Sequence, residues 1–256
     1  MVRQRKKRFI AIPEGSPVYD FVVQKIMLFW SPEQIAMRWR LLHPDSTLST
    51  STIYRYIELH KLPGIKKNSH LRRRGKNRHY VHHNSNTIHP LRTIPQWPQE
   101  ILDRSRIGDW EGDTVHGGIG KGLIVTLVDR KSRFLLSGRL PSRNATVTRT
   151  VIQGLLKDVP VHSLSLDNGS EFSQFMELEH NINAPVYFAE PHKPWQRGTN
   201  ENTNDLLRFF FPKGFDFNSL DDASLDFVVS LINNRPRKCL GWRSPAEVFF
   251  SSVALT

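Results

Sequence analysis

The stretch Ile107-Gly108-Asp109-Trp110-Glu111-Gly112-Asp113-Thr114-Val115 alternates with a period of two and reads as a β-strand. Residues two apart on a strand share a face, so Asp109, Glu111 and Asp113 point the same way. Two later carboxylates stand in different local settings. Asp167 closes the short apolar run from Val161 to Leu166, and the turn signal Asn168-Gly169 that follows puts it at a strand end. Glu201 lies past the breakers Pro191, Pro194 and Gly198, in the first turns of a helix that continues through Leu206, Leu207 and Phe210.

A strand interior, a strand tip and a helix can meet only through the fold. If Asp113, Asp167 and Glu201 do meet, they repel one another unless a cation lies between them. Hard divalent ions suit such oxygen ligands: Mg²⁺, or Mn²⁺ in its place, takes a few carboxylates together with waters and phosphate oxygens. Two such ions roughly 3.5 to 4 Å apart activate an attacking oxygen and stabilise the leaving one in a phosphodiester displacement. By strand geometry alone, Asp109 or Glu111 is an alternative ligand to Asp113.

The patterns Trp110-x-x-Asp113-Thr114-x-His116 and Asp167-Asn168-Gly169-Ser170-x-Phe172, with Glu201 between Gly198 and Asn204, resemble those of DDE transposases and retroviral integrases. The spacing is similar too, with 33 residues between Asp167 and Glu201. Three further stretches resemble the IS-thirty family of bacterial insertion-sequence transposases. They are Gly108 to Asp113, Leu127-Val128-Asp129-Arg130-Lys131-Ser132, and Asn233 to Trp242 followed by Ser244-Pro245. The likeness is strong over 105 to 250 and weaker before it. It implies a ribonuclease-H-like α/β catalytic domain with Asp113, Asp167 and Glu201 as catalytic and metal-binding residues. It also implies a DDE polynucleotidyl transferase that uses two Mg²⁺ or Mn²⁺ ions, cuts at element ends and joins them to target DNA. The choice of Asp113 over its two neighbours rests on this resemblance, as does a DNA-end contact for Arg208, seven residues after Glu201.

Charge is distributed unevenly. Residues 1 to 106 hold 20 Lys/Arg against 7 Asp/Glu, whereas residues 107 to 256 hold 16 against 17, so the net +12 belongs to the front. Double-stranded DNA is the expected partner, because cations that neutralise phosphates release counterions and supply affinity independent of sequence. Residues 1–16 read as a basic arm containing Arg3-Gln4-Arg5-Lys6-Lys7-Arg8, and 17–62 as a small all-α helix-turn-helix domain. Within it, Val18 to Trp30 carries a helical apolar stripe. Ser31-Pro32-Glu33-Gln34 is a capping box, and a third helix starts after Ser49 with Ile53, Tyr54, Tyr56 and Ile57 on its apolar side. Ser51, Thr52 and Arg55 are its groove-facing candidates. Residues 63–104 read as a basic linker in which Arg72, Arg73 and Arg74 lie along phosphates. His79, His82, His83 and His89 have no cysteine near them and are not read as a zinc site.

The catalytic domain, 105–256, reads as three strands, helix, strand, helix, strand, helix: Ile107 to Val115, Leu123 to Asp129, Phe134 to Leu140, a helix capped by Asn144, Val161 to Leu166, Ser170 to His180, Val186 to Ala189, and the Glu201 helix. Asn200, Lys193, Arg197 and His116 join Arg208 as DNA-contact candidates, and Asn168 as a group that orients Asp167. The single Cys239 excludes an internal disulfide, and no apolar run reaches the ~18 to 20 residues of a membrane span. A cytoplasmic, nucleoid-associated protein is expected, and synapsis of two DNA ends implies a homo-oligomer. Members of the resembled family begin with a further helix-turn-helix region, which keeps open a front-truncated chain that binds DNA as an inactive relic or repressor. Another nuclease of the same fold is the remaining alternative.

Overall fold

The computed structural model describes residues 12–71, 90–190, 193, 196 and 198–254. Contacts divide the chain into two units, Met1–Tyr80 with Arg235–Arg243, and Val81–Asn234 with Ser244–Thr256.

The first unit is helical. Each of its three main helices begins where a serine accepts a backbone N–H: Ser16 for α1 (Pro17–Met27), Ser31 for α2 (Pro32–Leu42) and Ser49 for α3 (Thr50–Glu58). At α2 the capping box is complete, Gln34 Oε1 accepting from the Ser31 amide at 2.8 Å. Val22, Ile26, Ile35, Trp39, Ile53 and Ile57 form one core between the three helices. A fourth, one-turn helix, α4 (Lys67–His70), falls in the stretch read as linker. Arg235–Arg243 belongs to this unit: Gln34 donates to the Pro236 carbonyl at 2.7 Å and accepts from Arg235 Nε at 2.8 Å.

The second unit is built on a five-stranded mixed sheet of order β3-β2-β1-β4-β5. β1 (Asp109–His116), β2 (Leu123–Asp129) and β3 (Leu135–Leu140) are antiparallel, while β4 (Ser163–Leu166) and β5 (Val186–Phe188) run parallel to β1. This is the ribonuclease-H-like arrangement expected from the sequence. A one-turn helix, α5 (Gln99–Leu102), precedes it; α6 (Ala145–Leu156) follows β3 and α7 (Phe175–Ile182) follows β4. Ile152, Phe175 and Leu178 cover one face of the sheet with Trp110, Leu127, Leu164 and Leu166. Three helices follow β5: α8 (Gly198–Phe210), α9 (Asp222–Asn233) and α10 (Pro245–Val253). Leu206 and Leu207 of α8 and Leu225 and Ile232 of α9 cover the other face with Val115, Ile124, Val128 and Leu135.

The structure differs from the sequence reading in three places. Residues 90 to 104, read as the end of a linker, pack on β5: Thr93 bridges Phe188, and Ile94, Trp97 and Ile101 share a core with Tyr187 and Ala189. The helix expected from Ser170 is a 3-10 turn, Ser170–Phe172, before α7 begins, because the turn sends both Glu171 and Phe172 inward. The catalytic domain, read as unbroken over 105–256, is interrupted: Arg235–Arg243 clusters with the helical unit, while Asn233 of α9 stays with the sheet, bonding both the amide and carbonyl of Leu135 at 2.8 Å.

Three carboxylates at the start of the sheet are buried, and each is compensated. Asp109 takes Arg106 at 3.0 Å and Ser163 Oγ at 2.7 Å. Burial pushes the Asp129 carboxyl up, opposed by hydrogen bonds from Ser132 and the Gly108 amide. Glu111 is ion-paired with Arg130, whose guanidinium also stacks over Trp97, 4.0 Å from the ring centre. Removing one partner of such a pair leaves an uncompensated buried charge. Arg130→Met is therefore expected to lower the unfolding free energy by about 3–5 kcal/mol in urea denaturation, and Glu111→Leu added to it to recover most of that loss.

Candidate active site

The parallel register of β1 and β4 pairs Asp109 with Ser163, Trp110 with Leu164 and Glu111 with Ser165. Carried two residues further, it sets Asp113 beside Asp167 at the carboxyl ends of neighbouring strands, which lie about 4.8 Å apart. Both side chains take the face that α8 covers, since Val115 lies in the core with Leu206 and Leu207 while Leu164 and Leu166 lie in the opposite core. Asp113 Oδ2 accepts from Asn204 Nδ2 at 2.7 Å and Oδ1 from the Thr114 amide at 2.8 Å. Asn204 stands three residues after Glu201, so one turn of α8 separates the exposed Glu201 from the residue that touches Asp113. Asp167 Oδ1 accepts from the Gly169 amide at 3.0 Å.

These contacts distinguish the acids of β1. Asp109 and Glu111 each pair with an arginine inside the fold, and Asp113 is held by the Asn204 amide group and the Thr114 backbone N–H. Among the described residues, no three His, Cys, Asp or Glu side chains are already gathered into a metal cage.

The opposite face of β1 carries a second polar cluster. Thr114 Oγ1 donates to Glu171 Oε1 at 2.8 Å and lies 3.0 Å from His116 Nε2, which also receives Arg143 Nη2 at 2.9 Å. Burial pushes the His116 pKa down, and the nearby Arg143 charge pushes it the same way. Arg208 of α8 donates to the His116 carbonyl at 2.7 Å.

The other sequence candidates fall in varied places. Ser51 and Arg55 are exposed on α3, but Thr52 is buried and lies 2.8 Å from Ser49 Oγ. Asn200 is buried, 1% exposed, and Lys193 pairs with Glu190 at 2.7 Å. Asn168 reaches the Ala189 carbonyl at 2.8 Å rather than Asp167. Arg72, Arg73, Arg74 and Arg197 lie outside the described residues, as do the basic arm through Arg8 and the four histidines His79 to His89. Sequence reasoning passed over Glu171 and Arg143, and read Tyr54, which is 40% exposed on α3, as an apolar-side residue. The only signal for Glu171 was its place inside the Asp167 motif.

No protein-family model matches the chain. Curated relatives do. The chain is 34% identical over 259 residues to the transposase InsI of insertion sequence element IS30A from Escherichia coli K12, covering 96% of this chain and 67% of that protein. It is 34% identical to the transposase of IS1086 from Cupriavidus metallidurans, over 93% of this chain and 72% of the relative. It is 37% identical to a probable transposase of IS1161 from Streptococcus salivarius, over 82% and 61% of the two chains. Among solved structures, the catalytic core domain of BIV integrase aligns at 21% identity with a TM-score of 0.47, covering 57% of this chain and 96% of that one. With a third of its residues shared over nearly its whole length with these proteins, the chain belongs to the IS30-type family of insertion-sequence transposases.

Proposed function

We propose that the chain cuts DNA at the ends of a mobile element and joins those ends to target DNA, as a DDE polynucleotidyl transferase whose carboxylates are Asp113, Asp167 and Glu201. The observation that carries this reading is the convergence on one sheet edge. Strand register brings Asp167 next to Asp113, and α8 reaches Asp113 through Asn204 one turn from Glu201. The donor set is all oxygen and anionic, which suits Mg²⁺ or Mn²⁺. Two divalent ions bound there would ease deprotonation of the attacking oxygen and stabilise the departing one.

The protein's own part is positioning. Asn204 and the Thr114 amide fix both oxygens of Asp113, and the Gly169 amide fixes one oxygen of Asp167. Arg208, tied to the end of β1, carries its charge beside the site, where a DNA phosphate approaching the carboxylates would meet it. Water serves as the attacking group in cleavage and the freed 3′-hydroxyl in joining, so a single arrangement serves both steps. The helical unit binds duplex DNA through the exposed side of α3, with Ser51, Tyr54 and Arg55 presented outward. Two element ends held together require at least two copies of the chain.

With labelled element-end DNA and Mg²⁺ or Mn²⁺, Asp167→Asn is expected to reduce strand nicking by more than ~100-fold while DNA binding by gel shift is retained. Undiminished nicking by this variant contradicts the assignment, and DNA binding without nicking by the unmodified chain in either metal favours the repressor reading. For the helical unit, Arg55→Ala is expected to reduce the slope of log K against log salt by about 1. An unchanged slope removes Arg55 from the interface.

A further inference from the structure

Glu171 sits inside the Asp167 motif but outside the proposed triad. It is 3% exposed, so its charge is withdrawn from water. Oε1 is held by Thr114 at 2.8 Å, whereas Oε2 is buried and has no hydrogen-bond partner among the described residues. Among the described residues, the cationic candidate beside the carboxylate is His116 at 3.8 Å, and the contact is ionic only when that ring is protonated. A buried carboxylate oxygen without a donor is costly and calls for a reason.

Its direction supplies one. A Cβ added to Gly169 would stand 2.8 Å from Glu171 Oε2 and 2.9 Å from Asp167 Oδ1. Both oxygens therefore pack close around residue 169, which must be glycine for them to lie there. Thr114, next to Asp113 on β1, anchors the other oxygen and so sets where Oε2 points. We propose that Glu171 is a fourth carboxylate of the divalent-ion site, its Oε2 facing the ion that Asp167 binds. This rests on the reading of Asp113 and Asp167 as ion-holding residues and adds to it a residue from the opposite face of β1. Thr114 becomes a positioning residue, since its hydroxyl aims the glutamate.

The test uses the full chain, Mn²⁺ alone as probe, and no DNA. Mn²⁺ affinity is read by calorimetry and thermal stability with and without Mn²⁺, for the unmodified chain, Glu171→Gln, Glu171→Asp and Asp167→Asn. Glutamine keeps the acceptor for Thr114 and removes the charge; aspartate keeps the charge and shortens the reach. Both are expected to weaken Mn²⁺ binding by about tenfold or more. Without metal, Glu171→Gln is expected to melt at or above the temperature of the unmodified chain, because an uncompensated charge has gone. With saturating Mn²⁺ the order reverses, an inversion that a purely structural glutamate would not produce. If Asp167→Asn weakens Mn²⁺ binding while both Glu171 variants bind as the unmodified chain does, this inference fails and the triad stands. If Asp167→Asn has no effect either, both fail.

Discussion

The structure depends on how negative charge is compensated along the central strand. β1 directs Asp109, Glu111 and Asp113 to one face, in a sheet covered on both sides by apolar side chains. Carboxylates so placed cannot remain ionised without a partner. The first two are matched within the fold, Asp109 by Arg106 and Glu111 by Arg130, and Trp97 lies against the second arginine. Asp113, at the far end of the strand, meets the amide group of Asn204, which orients it.

Topology decides what joins it. Because β4 runs parallel to β1, their carboxyl ends lie on the same edge, and Asp167 follows directly from the last residue of β4. Crevices outside the carboxyl ends of parallel strands are the habitual ligand sites of such sheets. The antiparallel pairing of β1 with β2 and of β2 with β3 provides width without adding carboxylates to that edge. α8 then lies across the face with Leu206 and Leu207 in the core, leaving Glu201, Asn204 and Arg208 along its polar side.

Much of this was legible in sequence because local chemistry and tertiary role agree. Ser31 and Ser49 cap α2 and α3 as their positions require, and the three antiparallel strands fall where alternation and the Gly117 to Gly122 turn put them. The face a polar residue takes was less legible. Thr52 and Asn200 carry hydrogen-bonding groups suited to DNA, yet helix phase turns both inward, and only the packing of neighbouring elements fixes that phase. Tyr54 shows the converse, an aromatic side chain left outside because Ile53 and Ile57 already fill the core. Glu171 was hidden for another reason: a glutamate in a 3-10 turn after Gly169 reads as surface, and its burial follows from a hydroxyl 57 residues away on β1.

The central claim is that carboxylates from β1, β4 and α8 hold divalent ions in common, and locating those ions tests it most directly. Crystals soaked in Mn²⁺ and measured near the manganese absorption edge should show anomalous density in coordination contact with both Asp113 and Asp167, and with Glu201 at one ion. Manganese bound elsewhere, with Asp113 still engaged by Asn204 and Asp167 untouched, would contradict the account.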